Sequence, residues 1–202
     1  MKRLLLAAGA ALGLSTAAQA SVIPVLDSVT LVGSEYEFSY SGTLAGDAGL
    51  VEGSLLIIFD FLGYVDGSIS AGIYSGSVDA FVENTSALSA PFGFDDDPLI
   101  PNLVFRWNDL PFQTSGGPFT DVSFAGLSAR SIFGGTHLDG YAALTVINNG
   151  AATGLPAVNS GPVAVPFGVV PEPGAWAMMI LGFGLAGATM RSRGRLVRHD
   201  TA

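Results

Sequence analysis

The sequence predicts an all-β protein: a single jelly-roll-like β-sandwich ectodomain between two apolar signals at the chain ends. Three observations lead there. Short runs rich in β-branched and aromatic residues recur through residues 21–150. Clusters of Gly and Ser separate them at regular intervals. No stretch between the two signals shows helical periodicity with capping residues at its ends.

Residues 1–20 read as a signal peptide. Met1-Lys2-Arg3 is a basic start, and residues 4–14 are an apolar run. Ala18-Gln19-Ala20 is the site a signal peptidase cuts, leaving Ser21 as the mature start. No cysteine follows it, so no lipoprotein anchor is expected.

Residues 21–150 form the expected ectodomain. Val22-Ile23 and Val29-Thr30-Leu31-Val32 open it as two short strands. Glu35-Tyr36-Glu37-Phe38-Ser39-Tyr40 alternates, with Tyr36, Phe38 and Tyr40 on one face, which is the pattern of a half-buried strand. Leu55-Leu56-Ile57-Ile58-Phe59 is apolar throughout, so it belongs at the centre of a sheet covered on both faces. Residues 77–82, 103–107, 121–125 and 141–148 complete the strands. Residues 151–169 carry prolines and small uncharged residues, and they read as a linker.

The ectodomain is strongly acidic. It carries fifteen Asp and Glu against Arg106 and Arg130, a net charge of −13 where the whole chain has −9. Such a surface excludes nucleic acid and repels anionic polysaccharide unless divalent cations bridge the two. The chain has no cysteine, so its stability must come from its core or from bound ions.

The C-terminal residues 170–202 make a three-part signal. Pro171-Glu172-Pro173 is held extended, because each proline disfavours helix in the residue before it. Residues 174–190 contain no charge and would span about 25 Å as a helix, close to the ~30 Å hydrocarbon core. Arg191, Arg193 and Arg195 follow as a basic stop on the cytoplasmic side, which leaves the ectodomain outside the inner membrane. The Pro-Glu-Pro box, Trp176-Ala177, the glycine-spaced helix and the arginines resemble the PEP-CTERM sorting signal in its Pro-Glu-Pro-x-x-Trp-Ala form. The resemblance implies an exosortase as partner and cleavage near the box. It also implies a Gram-negative host that makes exopolysaccharide. Gly182-Phe183-Gly184-Leu185-Ala186-Gly187 spells a dinucleotide fingerprint, but within an apolar helix it reads as small residues for helix packing.

Catalytic signals are sparse. Asp95-Asp96-Asp97-Pro98 is the densest acid cluster; its hard oxygens suit calcium, yet EF-hand spacing is missing. Its first reading is a solvated loop, with no resident cofactor required. His137 is the only ectodomain histidine, set in a Gly-rich turn before Tyr141. The nearest thing to a nucleophile elbow, Gly126-Leu127-Ser128-Ala129-Arg130, lacks the second glycine. Tyr64, Tyr74, Trp107 and Phe112 read first as core, and second as a platform for stacking on sugars. The expectation is therefore a non-enzymatic surface or extracellular-matrix protein associated with exopolysaccharide. The alternative is a carbohydrate-binding module assisted by calcium.

Overall fold

The structure, a computed structural model, describes residues 21–85, 96–168, 178–185, 187 and 191. Two compact units divide the chain, Met1–Phe167 and Gly168–Ala202. Among the described residues the first unit contains nine strands in two antiparallel sheets. β1 (Val22–Val32), β2 (Glu35–Leu44) and β7 (Val122–Ser131) form the smaller sheet, in the order β1-β2-β7. The larger sheet holds β3 (Ala48–Gly49), β4 (Leu55–Ile58), β5 (Val78–Glu83), β6 (Asn102–Trp107), β8 (Gly135–Ile147) and β9 (Pro156–Phe167). β4 lies between β8 and β6, and β5 pairs the far side of β6. β9 takes the side of β8 that β3 and β4 leave free.

A sandwich is thus present, and its proportions differ from a jelly roll. Three strands face six, where two Greek keys would give two comparable sheets of four. The core lies between the sheets. Phe38 and Tyr40 of β2 are fully buried against Leu56 and Ile58 of β4 and Leu103 of β6, as their alternation predicts. The unbroken apolar run of β4 also has its predicted reason. Leu56 and Ile58 enter the main core, while Ile57 and Phe59 face the other way into a second cluster with Val104 and Ala142.

Four expectations are corrected. The two opening strands are one, since β1 runs unbroken for 11 residues with a register shift at Asp27. The Gly-rich turn around His137 is strand, because β8 already begins at Gly135. The strand expected at 121–125 continues to Ser131, with an irregularity at Gly126, whose φ of 87° suits glycine. The linker at 151–169 is mostly strand: β9 pairs β8 from Val146↔Pro156 to Gly135↔Phe167.

The prolines of β9 explain the last correction. Pro156, Pro162 and Pro166 are separated by even numbers, so their nitrogens all face one side of the strand. A strand with one free side can turn them there and lose no ladder donor. Side-chain hydrogen bonds to β1 and from β2 then secure this edge. Asn159 accepts from the Val22 N–H (3.2 Å) and donates Nδ2–H to the Val22 carbonyl (2.9 Å). Its amide behaves toward β1 as one more residue of backbone. The buried Tyr40 hydroxyl donates to the Ala164 carbonyl (3.0 Å). All nine strands and both apolar clusters lie within residues 22–167, so this unit has what it needs to fold by itself.

In the second unit, residues 178–185 are helical. Among the described residues no helix is long and apolar enough to cross a membrane. Much of the expected span at 174–190 lies outside the described residues, as does the signal peptide.

Candidate functional site

Strand register places two clefts at opposite ends of the sandwich. One end is marked by Leu55↔Arg106 and Val78↔Trp107, the other by Ile58↔Tyr141 and Gly135↔Phe167.

The second of these ends is acidic. Asp60, Asp96, Asp97, His137, Asp139 and Phe167 line an open cleft of about 510 Å³. Asp60 follows β4 with a positive φ of 51°, a conformation that Asp tolerates better than most residues. It is 7% exposed. Its N–H donates to Asn102 Oδ1 (2.8 Å), and its Oδ1 accepts from the Asp97 N–H (3.1 Å). Asn102, fully buried at the start of β6, completes the bridge by donating Nδ2–H to Asp96 Oδ1 (2.9 Å). Burial pushes the Asp60 carboxyl up to about 6. The Asp97 N–H opposes that rise, and the charges of Asp139, Asp96 and Asp97 reinforce it. A carboxyl with that midpoint can pass a proton near neutral pH. Yet among the described residues that line the cleft none carries a hydroxyl side chain.

Of the expected acid trio, Asp96 and Asp97 lie in this cleft, and Asp95 is outside the described residues. Asp97 Oδ1 accepts from the Leu99 N–H (2.9 Å), closing a local turn. Among the described residues no three acidic or histidine side chains converge closely enough to hold a metal ion. His137 stands with its Nε2 3.5 Å from Asp139 Oδ2 and its ring 5.1 Å from that of Phe167. Asp60, Asn102 and Asp139 escaped the sequence reading. One signal was available: a charged residue closing a wholly apolar strand, as Asp60 does after Phe59, has to be provided for.

The opposite end is apolar. A cleft of about 230 Å³ opens between the sheets, walled by Leu44, Val122 and Phe124 on one side and Leu56, Val78 and Phe105 on the other. Three of the four aromatics singled out in the sequence meet here. Tyr74, Trp107 and Phe112 line it, with the Trp107 and Phe112 rings 6.2 Å apart. Tyr64 does not join them and packs edge-on against Phe61 instead. Among the described residues every Trp and Tyr is buried or half-buried, whereas Phe112 is 38% exposed. Ser128 lies within β7 opposite Ser39, and so is not itself at a strand-to-helix turn.

Pro171, Glu172, Pro173, Trp176 and Ala177 of the C-terminal signal lie outside the described residues, with Arg193, Arg195, Ala18 and Ala20. Arg191 is helical and exposed.

The fold and the last strand thus define an all-β domain whose β9 runs almost to the start of that signal. Residues 169–194 match the PEP-CTERM protein-sorting motif. The chain is therefore an exported protein with a membrane-anchored C-terminal sorting signal, of the kind an exosortase processes. No curated protein matches the chain. Among solved structures, it is similar to the collagen binding subdomain of the Enterococcus faecalis surface protein ACE, at 11% identity and a TM-score of 0.35. The match covers 72% of this chain and 96% of that one. That likeness is too slight to carry an argument about fold or ligand.

Proposed function

We propose that the protein is a non-enzymatic component of the cell surface or extracellular matrix, delivered by exosortase sorting and associated with exopolysaccharide. The observation that carries this reading is the sorting motif at 169–194, set directly after a β-domain that ends at Phe167. Signal peptidase releases Ser21, one residue before β1 begins. The apolar segment at 174–190 then holds the chain, with the arginines in the cytoplasm and the sandwich in the periplasm. Cleavage near Pro171-Glu172-Pro173 frees the domain for the surface of a Gram-negative cell. A domain of net −13 meets exopolysaccharide through neutral sugars or through bridging divalent cations.

The carbohydrate-binding alternative called for exposed Trp or Tyr on one sheet. Trp107 and Tyr74 instead turn into the apolar cleft, which favours the matrix reading.

Fractionating the native host tests the proposal. The intact chain should move from the inner membrane to the surface or medium, and a Glu172→Ala, Trp176→Ala variant should stay in the inner membrane. Equal distribution of the two proteins would defeat the sorting role of the box.

A further inference from the structure

We propose that the apolar cleft binds a small, neutral hydrocarbon group: an aliphatic chain, or an aromatic ring with a short substituent. Size sets the first limit. An engineered apolar cavity of ~150 Å³ stays dry and takes benzene. At about 230 Å³ this cleft takes a ring and a substituent, or a chain of equal volume.

Polarity sets the second limit. Polar side-chain groups are few among the residues that line the cleft, namely those of Ser54, Tyr74, Trp107 and Ser123, and two of these are engaged. Ser54 Oγ accepts from the Val51 N–H (3.0 Å), and the Trp107 indole N–H donates to the Leu110 carbonyl (3.0 Å). A polar ligand group pushed inside would lose its water and gain little in return. Apolar side chains also stand in solvent on the segments that carry the mouth. Ile73 beside Tyr74 is 87% exposed, and Leu110, two residues before Phe112, is 79% exposed. Exposed apolar residues close in sequence to those that line an apolar cleft are what a binding surface would show.

Charge sets the third. The ectodomain has only two arginines, and both face acids: Arg106 pairs with Asp79 at 2.8 Å, and Arg130 lies within 3.7 Å of Glu35 and 3.6 Å of Glu37. Neither arginine is among the described residues that line the cleft, so no cation there pairs with a carboxylate, and the acidic domain repels one. The ligand is therefore neutral, an alcohol, ester or hydrocarbon in preference to a fatty-acid anion. The cleft also lies at the end of the sandwich opposite Phe167.

The test uses the 21–168 segment, whose single tryptophan is Trp107 in the cleft wall. The neutral dye N-phenyl-1-naphthylamine is titrated and energy transfer from Trp107 is read. We expect saturable binding with one dye per chain, displaced by decanol more strongly than by decanoate. Val78→Phe and Val122→Phe each place a ring in the cleft from a half-buried strand position. Both should weaken the dye by about tenfold or more (~1.4 kcal/mol) at an unchanged melting temperature. In the unaltered protein, decanol should shift the methyl NMR signals of Leu44, Leu56 and Val122. Absence of saturable transfer, undiminished binding in both filled variants, methyl signals that stay put, or stronger displacement by decanoate would each overturn the proposal.

Discussion

Replacing Asp60 by asparagine should make the sandwich more stable at neutral pH and remove a slope from its stability profile. In the folded protein the Asp60 carboxyl titrates at about 6, against an ordinary value of 3.8, chiefly through burial. The folded state thus holds this proton more tightly than the unfolded chain does. Its contribution is complete below pH 3.8 and is lost as pH rises through 6. At ~1.36 kcal/mol per pH unit the whole displacement is worth about 3 kcal/mol. The cleft is open to water, so about 2 kcal/mol is the better expectation. Asparagine keeps what the position needs. It tolerates the positive φ of 51°, and its side-chain oxygen can still accept from the Asp97 N–H. It removes the charge that Asp96, Asp97 and Asp139 oppose. Urea denaturation of both proteins from pH 3.5 to 8 reads the difference. Asp79 and Asp109, whose hydrogen bonds to Arg106 and Ser77 hold them below the usual range, titrate alike in both and cancel. The variant should gain about 2 kcal/mol at pH 7.5, or ~4–8 °C in melting temperature, and the gap should close by pH 4. A variant that is less stable at pH 7.5, or a gap that persists at pH 4, would refute this reasoning.

Three further outcomes follow from the β9 edge. Asn159→Ala should cost about 2–3 kcal/mol by urea denaturation, since it strips the N–H and the carbonyl of Val22 of their shared partner. Faster amide exchange at Val22 should accompany it. Tyr40→Phe should cost about 1 kcal/mol, for the lost bond to Ala164, whereas Tyr40→Ala should cost about 4 by emptying a fully buried site. Only residues 168–170 separate the end of β9 from Pro171, a reach of about 14 Å when extended. Inserting six Gly and Ser residues after Gly168 should therefore leave melting unchanged and keep or raise the cleavage rate, measured by pulse-chase in the host.

What the sequence disclosed, and what it hid, has a physical basis. Strands whose own side chains carry the pattern were legible. Phe38 and Tyr40 alternate with polar neighbours, and residues 55–59 are apolar because both faces are covered. β9 was hidden because its prolines imitate a linker; they are tolerated at one strand edge, and only the pairing with β8 reveals that edge. The start of β8 was hidden in the same way by Gly134 and Gly135. The acid cleft depends on Asp60, Asp96 and Asp139, which three separate segments bring together. The apolar cleft is drawn from both sheets, and each of its side chains alone reads as ordinary core. The C-terminal signal was legible because an enzyme reads it as a linear string, and a linear string needs no fold to bring it together.

The central claim is that this sandwich is cut free of its C-terminal signal. The most direct test is the intact mass of the protein from its native host, with and without exosortase activity. The account predicts a species that starts at Ser21 and ends near Pro171-Glu172-Pro173, formed only when the enzyme is active. A single species running from Ser21 to Ala202 in both strains would contradict it, and would make residues 170–202 a permanent anchor.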